Sequence, residues 1–277
     1  MDILGPVVRG WQRMPMSWRR GIVDSPIAPF LRRLLNRFYP RTPEIFELAA
    51  PLNGRRMRLD WQTHKAYVFG TYEPSVTQAL LQVVRPGWTV VDIGAHIGYF
   101  TLLLSELVGP QGKVIAFEAL AQNFEVLREN IVLNSCDNVI LESRAVAGRS
   151  GRISLRRNDD EALTSTASIE SGTPIAEVDA VALDEFLGPA FGRVHLAKMD
   201  AEGAEAALLE GMREILRRDL PILLIELHGF DTYGEQHPAL RWLHERGYGF
   251  RFLDGAGQQV HILAEFQAGE NTGSKAD

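Results

Sequence analysis

The feature that most constrains the fold is an alternation of apolar runs and amphipathic stretches beginning at Thr89. Strand-like runs occupy Thr89–Ile93, Lys113–Phe117, Val139–Glu142, 194–199 and 222–227. Helical spacing fills the gaps at Tyr99–Val108, 122–133 and 205–217, the last with Leu208, Leu209, Met212, Ile215 and Leu216 on one face. Such alternation predicts an α/β fold with a doubly wound, mostly parallel sheet. Residues 248–253 and 260–264 flank Asp254-Gly255 and suit a terminal antiparallel hairpin.

Upstream, Asn53-Gly54 is a hairpin turn signal followed by the alternating stretch 56–60. Residues 73–84 then form a helical pattern with Pro74 in the first turn and Pro86-Gly87 after its end. Residues 1–45, broken by repeated prolines, are expected to be a helical extension. The main domain is set at 46–268, and the small polar tail 269–277 is expected to be disordered.

Charge is unevenly spread. The first 41 residues carry eight arginines against Asp2 and Asp24, a balance of +6, so the remainder carries −12 to reach the overall −6. The acidic body argues against a nucleic-acid partner, because it would repel phosphates. A single cysteine, Cys136, excludes an internal disulfide framework and suits a reducing compartment. No apolar run approaches the ~20 residues of a membrane span, and the start MDILGPVV lacks signal-peptide character. A cytoplasmic protein is expected.

The turn VVDIGAHIGYF, residues 90–100, joins the first strand of the alternation to a helix. In a doubly wound sheet, ligands sit beyond the carboxyl ends of the strands near the point where strand order reverses. A dinucleotide fingerprint would read G-x-G-x-x-G there. Here the sequence offers Gly94 and Gly98 without the middle glycine, and Asp92 aims a carboxylate where phosphates would lie. That carboxylate suits a cationic ligand. Glu118 ends the next strand, 26 positions later, where an acid accepts hydrogen bonds from ribose hydroxyls. An amino-acid cation plus a ribose, without phosphate, describes S-adenosylmethionine. An NAD-dependent oxidoreductase is disfavoured on the same residues.

The stretch VVDIGAHIGYFTLLLSELVGPQGKVIAFEALAQNFEVLRENIVLN resembles the cofactor half of the FkbM-type SAM-dependent methyltransferases. LAKMDAEGAEAALLEGM and PILLIELHG resemble the rest of the pattern, which covers roughly residues 70–230. The resemblance implies a Rossmann-like class I methyltransferase with a seven-stranded sheet, its last strand antiparallel. It also implies O-methylation of a saccharide or other small-molecule hydroxyl, with S-adenosylmethionine as cofactor. It assigns Glu73, Asp92, Gly94, Ala95, His96, Gly98, Tyr99 and Phe100 to the cofactor turn and its surroundings, and Glu118 and Ala119 to the ribose end. His96 stands where asparagine is more usual.

Four further residues are candidates for the reacting side. Asp200 and Glu202 follow a strand at the same sheet edge, and Lys198, one of four lysines, precedes them. His228 ends the next strand, sharing a face with Glu226 by alternation. A histidine with an unperturbed pKa near ~6.5 suits a general base, and Asp200 is the alternative. Asp200, Glu202 and Glu226 offer oxygen ligands for Mg²⁺, but one D-x-E is weak evidence and no metal site is assigned. The polar segment 144–192 is either an acceptor-side loop or an exposed insert. A non-catalytic binding module that scaffolds a partner through the basic N-terminus is the alternative function.

Overall fold

A computed structural model describes residues 43–157, 173–188, 191–255 and 257–267, with five isolated positions before them. The basic extension, apart from its last residues, lies outside the described residues. So do the tail 269–277 and the acidic and hydroxyl cluster from Asp159 to Ser168.

The fold opens with a hairpin, β1 (Glu44–Glu47) against β2 (Arg56–Leu59). β1 therefore begins inside the stretch expected to be helical. Asn53-Gly54 turns the chain within a longer connection, and is not a two-residue hairpin loop. Buried Met57 and Leu59 alternate with exposed Arg56 and Arg58, as the sequence pattern requires.

Next comes α1 (Trp61–Phe69), capped by Asp60, whose side chain accepts from the Gln62 N–H at 2.7 Å. Gly70 ends it in the left-handed conformation. α2 (Pro74–Val83) follows and packs on the sheet through Val76, Ala79 and Leu80.

The central sheet has seven strands in the order β11-β12-β10-β9-β3-β4-β5. These are β3 (Thr89–Ile93), β4 (Lys113–Phe117), β5 (Val139–Glu142), β9 (Leu196–Asp200), β10 (Ile222–His228), β11 (Tyr248–Gly255) and β12 (Gln259–Phe266). β12 pairs antiparallel with both its neighbours, and the pairs β10/β9, β9/β3, β3/β4 and β4/β5 are all parallel. This is the expected Rossmann-like class I methyltransferase sheet. The chain runs outward from β3 to β5 and returns to the other side of β3 at β9. The reversal therefore falls between Ile93 and Asp200.

The strands' alternate faces feed two cores. Val90, Val114, Leu196 and Leu224 join α2 and α3 (Tyr99–Val108) on one side. Val91, Ile115, Ala197 and Ile225 join the segment from Leu208 to Leu216 on the other. That segment is two helices, α6 (Glu205–Glu210) and α7 (Arg213–Asp219), where one continuous helix was expected. Gly211 lies at the break, and a Cβ there would meet the Ala147 carbonyl oxygen at 2.3 Å.

The segment 144–192 is not a plain loop. It forms a three-stranded sheet of β6 (Ala145–Val146), β7 (Gly151–Arg157) and β8 (Thr173–Val181), followed by the short helix α5 (Leu183–Phe186). The helix α4 (Ala121–Leu133) follows β4 and supplies Asn130, which is fully buried. Its Oδ1 accepts from the Arg58 N–H at 2.6 Å and its Nδ2 donates to the Ile97 carbonyl at 2.8 Å. One side chain thus fastens the N-terminal hairpin to the turn after β3.

Candidate active site

A cleft opens at the reversal point, and several of the elements that end there supply its walls. The turn after β3 gives Asp92, Gly94, Ala95, His96, Tyr99 and Phe100, and the end of β4 gives Glu118 and Ala119. Lys198, Asp200 and Glu202 close the β9 side. Tyr67 and Tyr72 come from α1 and the loop after it, and Arg144, Ala145 and Leu155 from the small sheet. Among the candidates, Glu73, Gly98 and His228 are not on this wall.

The glycines act by close approach. Gly94 has φ +74°, and a Cβ there would lie 2.2 Å from the Asp200 carbonyl oxygen. Gly98, with φ +97°, would drive a Cβ to 2.7 Å from Leu127 Cδ1. His96 between them is also left-handed (φ 52°), a conformation that asparagine adopts more readily than most residues.

Asp92 is fully buried on the side of β3 that faces α3, where Thr101 donates to its Oδ2 at 2.7 Å. Its Oδ1 is buried without a hydrogen-bond partner among the described residues, 3.8 Å from Lys198 Nζ. Burial pushes the Asp92 carboxyl up against the opposing pull of Lys198. Lys198 Nζ is also 3.9 Å from Asp200 and 5.2 Å from the centre of the Phe100 ring. Its burial favours the neutral amine, but Asp200 and Asp92 outweigh this and hold the ammonium above its usual range. Burial and then Glu226 hold the Asp200 carboxyl high.

Glu118 accepts from the backbone N–H of His96 and of Leu120, each at 2.9 Å. Burial raises its pKa to about 7 despite those bonds. The His96 ring is neutral, lowered to about 3 by burial and by the neighbouring His64 and Lys198. Its Nδ1 lies 3.3 Å from the Tyr67 hydroxyl, so α1 closes one end of the cleft.

Behind Asp200 lies a second cluster. His228 Nδ1 is 2.8 Å from Oε1 of the fully buried Glu205, and its Nε2 is 3.2 Å from Glu202 and 3.7 Å from Glu226. Burial favours the neutral ring, yet Glu205, Glu202 and Glu226 together raise it to about 9. The unperturbed titration expected of His228 is therefore absent, because a solvated strand end was assumed and a carboxylate cage is found. His237 Nε2 donates to the His228 carbonyl at 3.0 Å and steadies the strand end.

Glu73 does not line the cleft, but its charge acts on Asp92, Tyr99 and Lys198 there while its carboxylate reaches this cluster. Its carboxylate is 3.4 Å from His261 Nε2. His261 also faces Glu226 at 3.5 Å, and its Nδ1 lies 2.6 Å from Asp254. His261 went unread in the sequence, yet it pairs directly with Glu226 across the antiparallel β10/β12 ladder. Placing the terminal hairpin beside β10 brings it into view. Thr101 had a weaker signal, one of few polar side chains in a helix that is otherwise largely apolar.

The family model for the methyltransferase FkbM domain matches residues 92–252, from Asp92 through the hairpin strand β11. The chain belongs to this family. Beyond it, the FkbM domain is similar to Methyltransferase 1 of Beauveria bassiana, 27% identical over 180 residues, covering 57% of this chain and 71% of that one. A shorter stretch of 60 residues is 43% identical to protein-L-isoaspartate O-methyltransferase of Aeropyrum pernix, covering 21% and 23% of the two chains. Among solved structures, an FkbM methyltransferase from Methylobacillus flagellatus superposes with TM-score 0.47 at 16% identity. That superposition covers 73% of this chain and 52% of that one. No helix among the described residues is long and apolar enough to cross a membrane.

Proposed function

We propose that this FkbM methyltransferase uses S-adenosylmethionine to methylate a hydroxyl of a saccharide or another small molecule. The observation that carries the reading is the cleft's division between two carboxylate walls. Asp92 and Glu118 end adjacent strands on one wall, and Asp200 and Glu202 stand on the other. The residues fit the cofactor. Asp92 keeps an orphaned buried oxygen, which suits a cationic donor. Glu118 stands where a ribose would be held. Aromatic faces of Tyr67, Tyr72 and Phe100 line the same space and suit a sulfonium.

S-adenosylmethionine supplies the methyl group from its sulfonium. The chain's part is to align the acceptor oxygen and receive its proton, positioning being the larger contribution. Asp200 is the acceptor of that proton in this reading, because it lines the cleft and His228 does not. His228 is moreover held at Nδ1 by Glu205, and its Nε2 faces Glu202 at 3.2 Å without a hydrogen bond among the described residues. The acidic far wall favours a neutral polyol over a polyphosphate.

The test offers the full chain radiolabelled S-adenosylmethionine with panels of sugars, their amino analogues and RNA. Label in hydroxyl-bearing small molecules supports the reading. Label confined to RNA or to amines overturns it.

A further inference from the structure

We propose that Asp200, Glu226 and His228 bind a divalent transition-metal ion of the Mn²⁺ or Zn²⁺ class beside the cofactor cleft. Their ligand atoms all lie within 4.8 Å of one another. The triad stands at the carboxyl ends of two paired strands: Asp200 and Glu226 are partners in the β9/β10 ladder, and His228 follows Glu226 on the same face. Rigid strand ends hold such a donor set more precisely than loops do.

The state of the imidazole points to an ion. His228 Nε2 is sealed from solvent and has no hydrogen-bond partner among the described residues. Carboxylate oxygens of Glu202 and Glu226 nevertheless stand 3.2 and 3.7 Å from it. Donors about 2.1 Å from a common ion lie roughly 3.0–3.4 Å apart, so within the triad the 3.7 Å between His228 Nε2 and Glu226 need shorten by only a few tenths of an ångström for the two to share an ion.

The other ring nitrogen is fixed. Nδ1 donates to Glu205 at 2.8 Å, and the same oxygen accepts from the Gly203 N–H at 2.9 Å. Glu205 has no exposure to solvent. A carboxylate that holds Nδ1–H aims Nε2 at the metal, whose binding displaces the Nε2 proton, the usual support of a metal-bound histidine. Mixed imidazole and carboxylate donors suit Mn²⁺ or Zn²⁺, whereas Mg²⁺ prefers oxygen alone.

A mirrored triad of Glu73, Glu226 and His261 faces the other Glu226 oxygen, with Asp254 holding His261 Nδ1. None of its three residues lines the cleft, whereas Asp200 does, so the ion is assigned to the first triad. There an ion held through one Asp200 oxygen would lower the pKa of an acceptor hydroxyl and leave the other Asp200 oxygen to take its proton. That role rests on the methyl-transfer reading; the binding itself does not.

The experiment titrates the EDTA-stripped full chain with MnCl₂ and with ZnCl₂ by calorimetry, and records pulsed EPR of the Mn²⁺ form. Circular dichroism of each variant checks its fold. Saturable binding with nitrogen modulation in the EPR signal is expected. His228→Ala should abolish the nitrogen modulation and weaken binding at least 100-fold. Glu205→Gln should weaken it about 10–100-fold through the imidazole it orients. His261→Ala should retain the ion. Absence of saturable binding by the unaltered chain overturns the proposal. So does nitrogen modulation that survives His228→Ala, or binding lost in His261→Ala but kept in His228→Ala. No acceptor is needed, so failure here leaves the methyl-transfer reading standing.

Discussion

Lys198 Nζ lies 3.8 Å from Asp92 Oδ1 and 3.9 Å from Asp200 Oδ2, a buried cation between carboxylates at the carboxyl ends of two neighbouring strands. Asp92 has no exposure to solvent, so among the described residues its compensation besides Thr101 is this ammonium. Removing one partner of a buried pair leaves an uncompensated charge, typically costing about 3–5 kcal/mol. The long contact distance puts Lys198→Met at the low end, about 3 kcal/mol. Adding Asp92→Asn should recover part of it. Urea unfolding of the single and double variants measures both, and a single-variant loss under about 1 kcal/mol would refute the pairing.

If Glu118 holds the ribose as proposed, cofactor affinity should depend on pH. Burial raises its carboxyl to about 7, so the group is largely protonated at pH 6 and ionised at pH 8. Only the ionised form accepts from both ribose hydroxyls, so S-adenosylmethionine should bind more tightly as pH rises through 7. Glu118→Gln should flatten that dependence and weaken binding at pH 8. A wild-type affinity that is flat or falls between pH 6 and 8 would exclude the ribose contact.

Gly94→Ala should destabilise the fold more than Gly87→Ala. Both positions have positive φ, but only Gly94 has a neighbour in the way, the Asp200 carbonyl oxygen 2.2 Å from the added Cβ. Backbone strain alone costs about 1–3 kcal/mol, and the displaced β9 end adds to it. Equal melting temperatures for the two variants would show that the β3 turn is free to move away from β9.

Much of this was legible in the sequence. β3, β4, β9 and β10 are mostly apolar because both sheet faces are covered, and their few charged residues stand out against that background. Other parts were hidden for physical reasons. α1, with the sequence WQTHKAYVF, mixes polar and apolar residues and has almost no amphipathic pattern, although Trp61 is buried against Phe46 and Phe69. β8 is half exposed along most of its length and so lacks a clean alternation. The ion pair between Glu226 and His261 depends on a ladder pairing of residues 35 positions apart. Strand-end residues look solvated until the neighbouring strands are placed.

Asp200→Asn should separate chemistry from cofactor binding. Loss of a general base costs typically about 10²–10⁴-fold in turnover. The S-adenosylmethionine dissociation constant should move by no more than several-fold, because Asp92 and Glu118 remain. Steady-state kinetics with an active acceptor, alongside calorimetry, measures the two effects. An Asn variant that keeps full turnover would remove Asp200 from the proton transfer.

Isothermal titration of the full chain with S-adenosylmethionine, S-adenosylhomocysteine and NAD is the most direct measurement. Binding of the first two, absence of NAD binding, and at least 10-fold weaker S-adenosylmethionine binding by a folded Asp92→Asn variant are predicted. NAD binding in place of S-adenosylmethionine, or an Asp92→Asn variant with unchanged affinity, would contradict the assignment of this cleft.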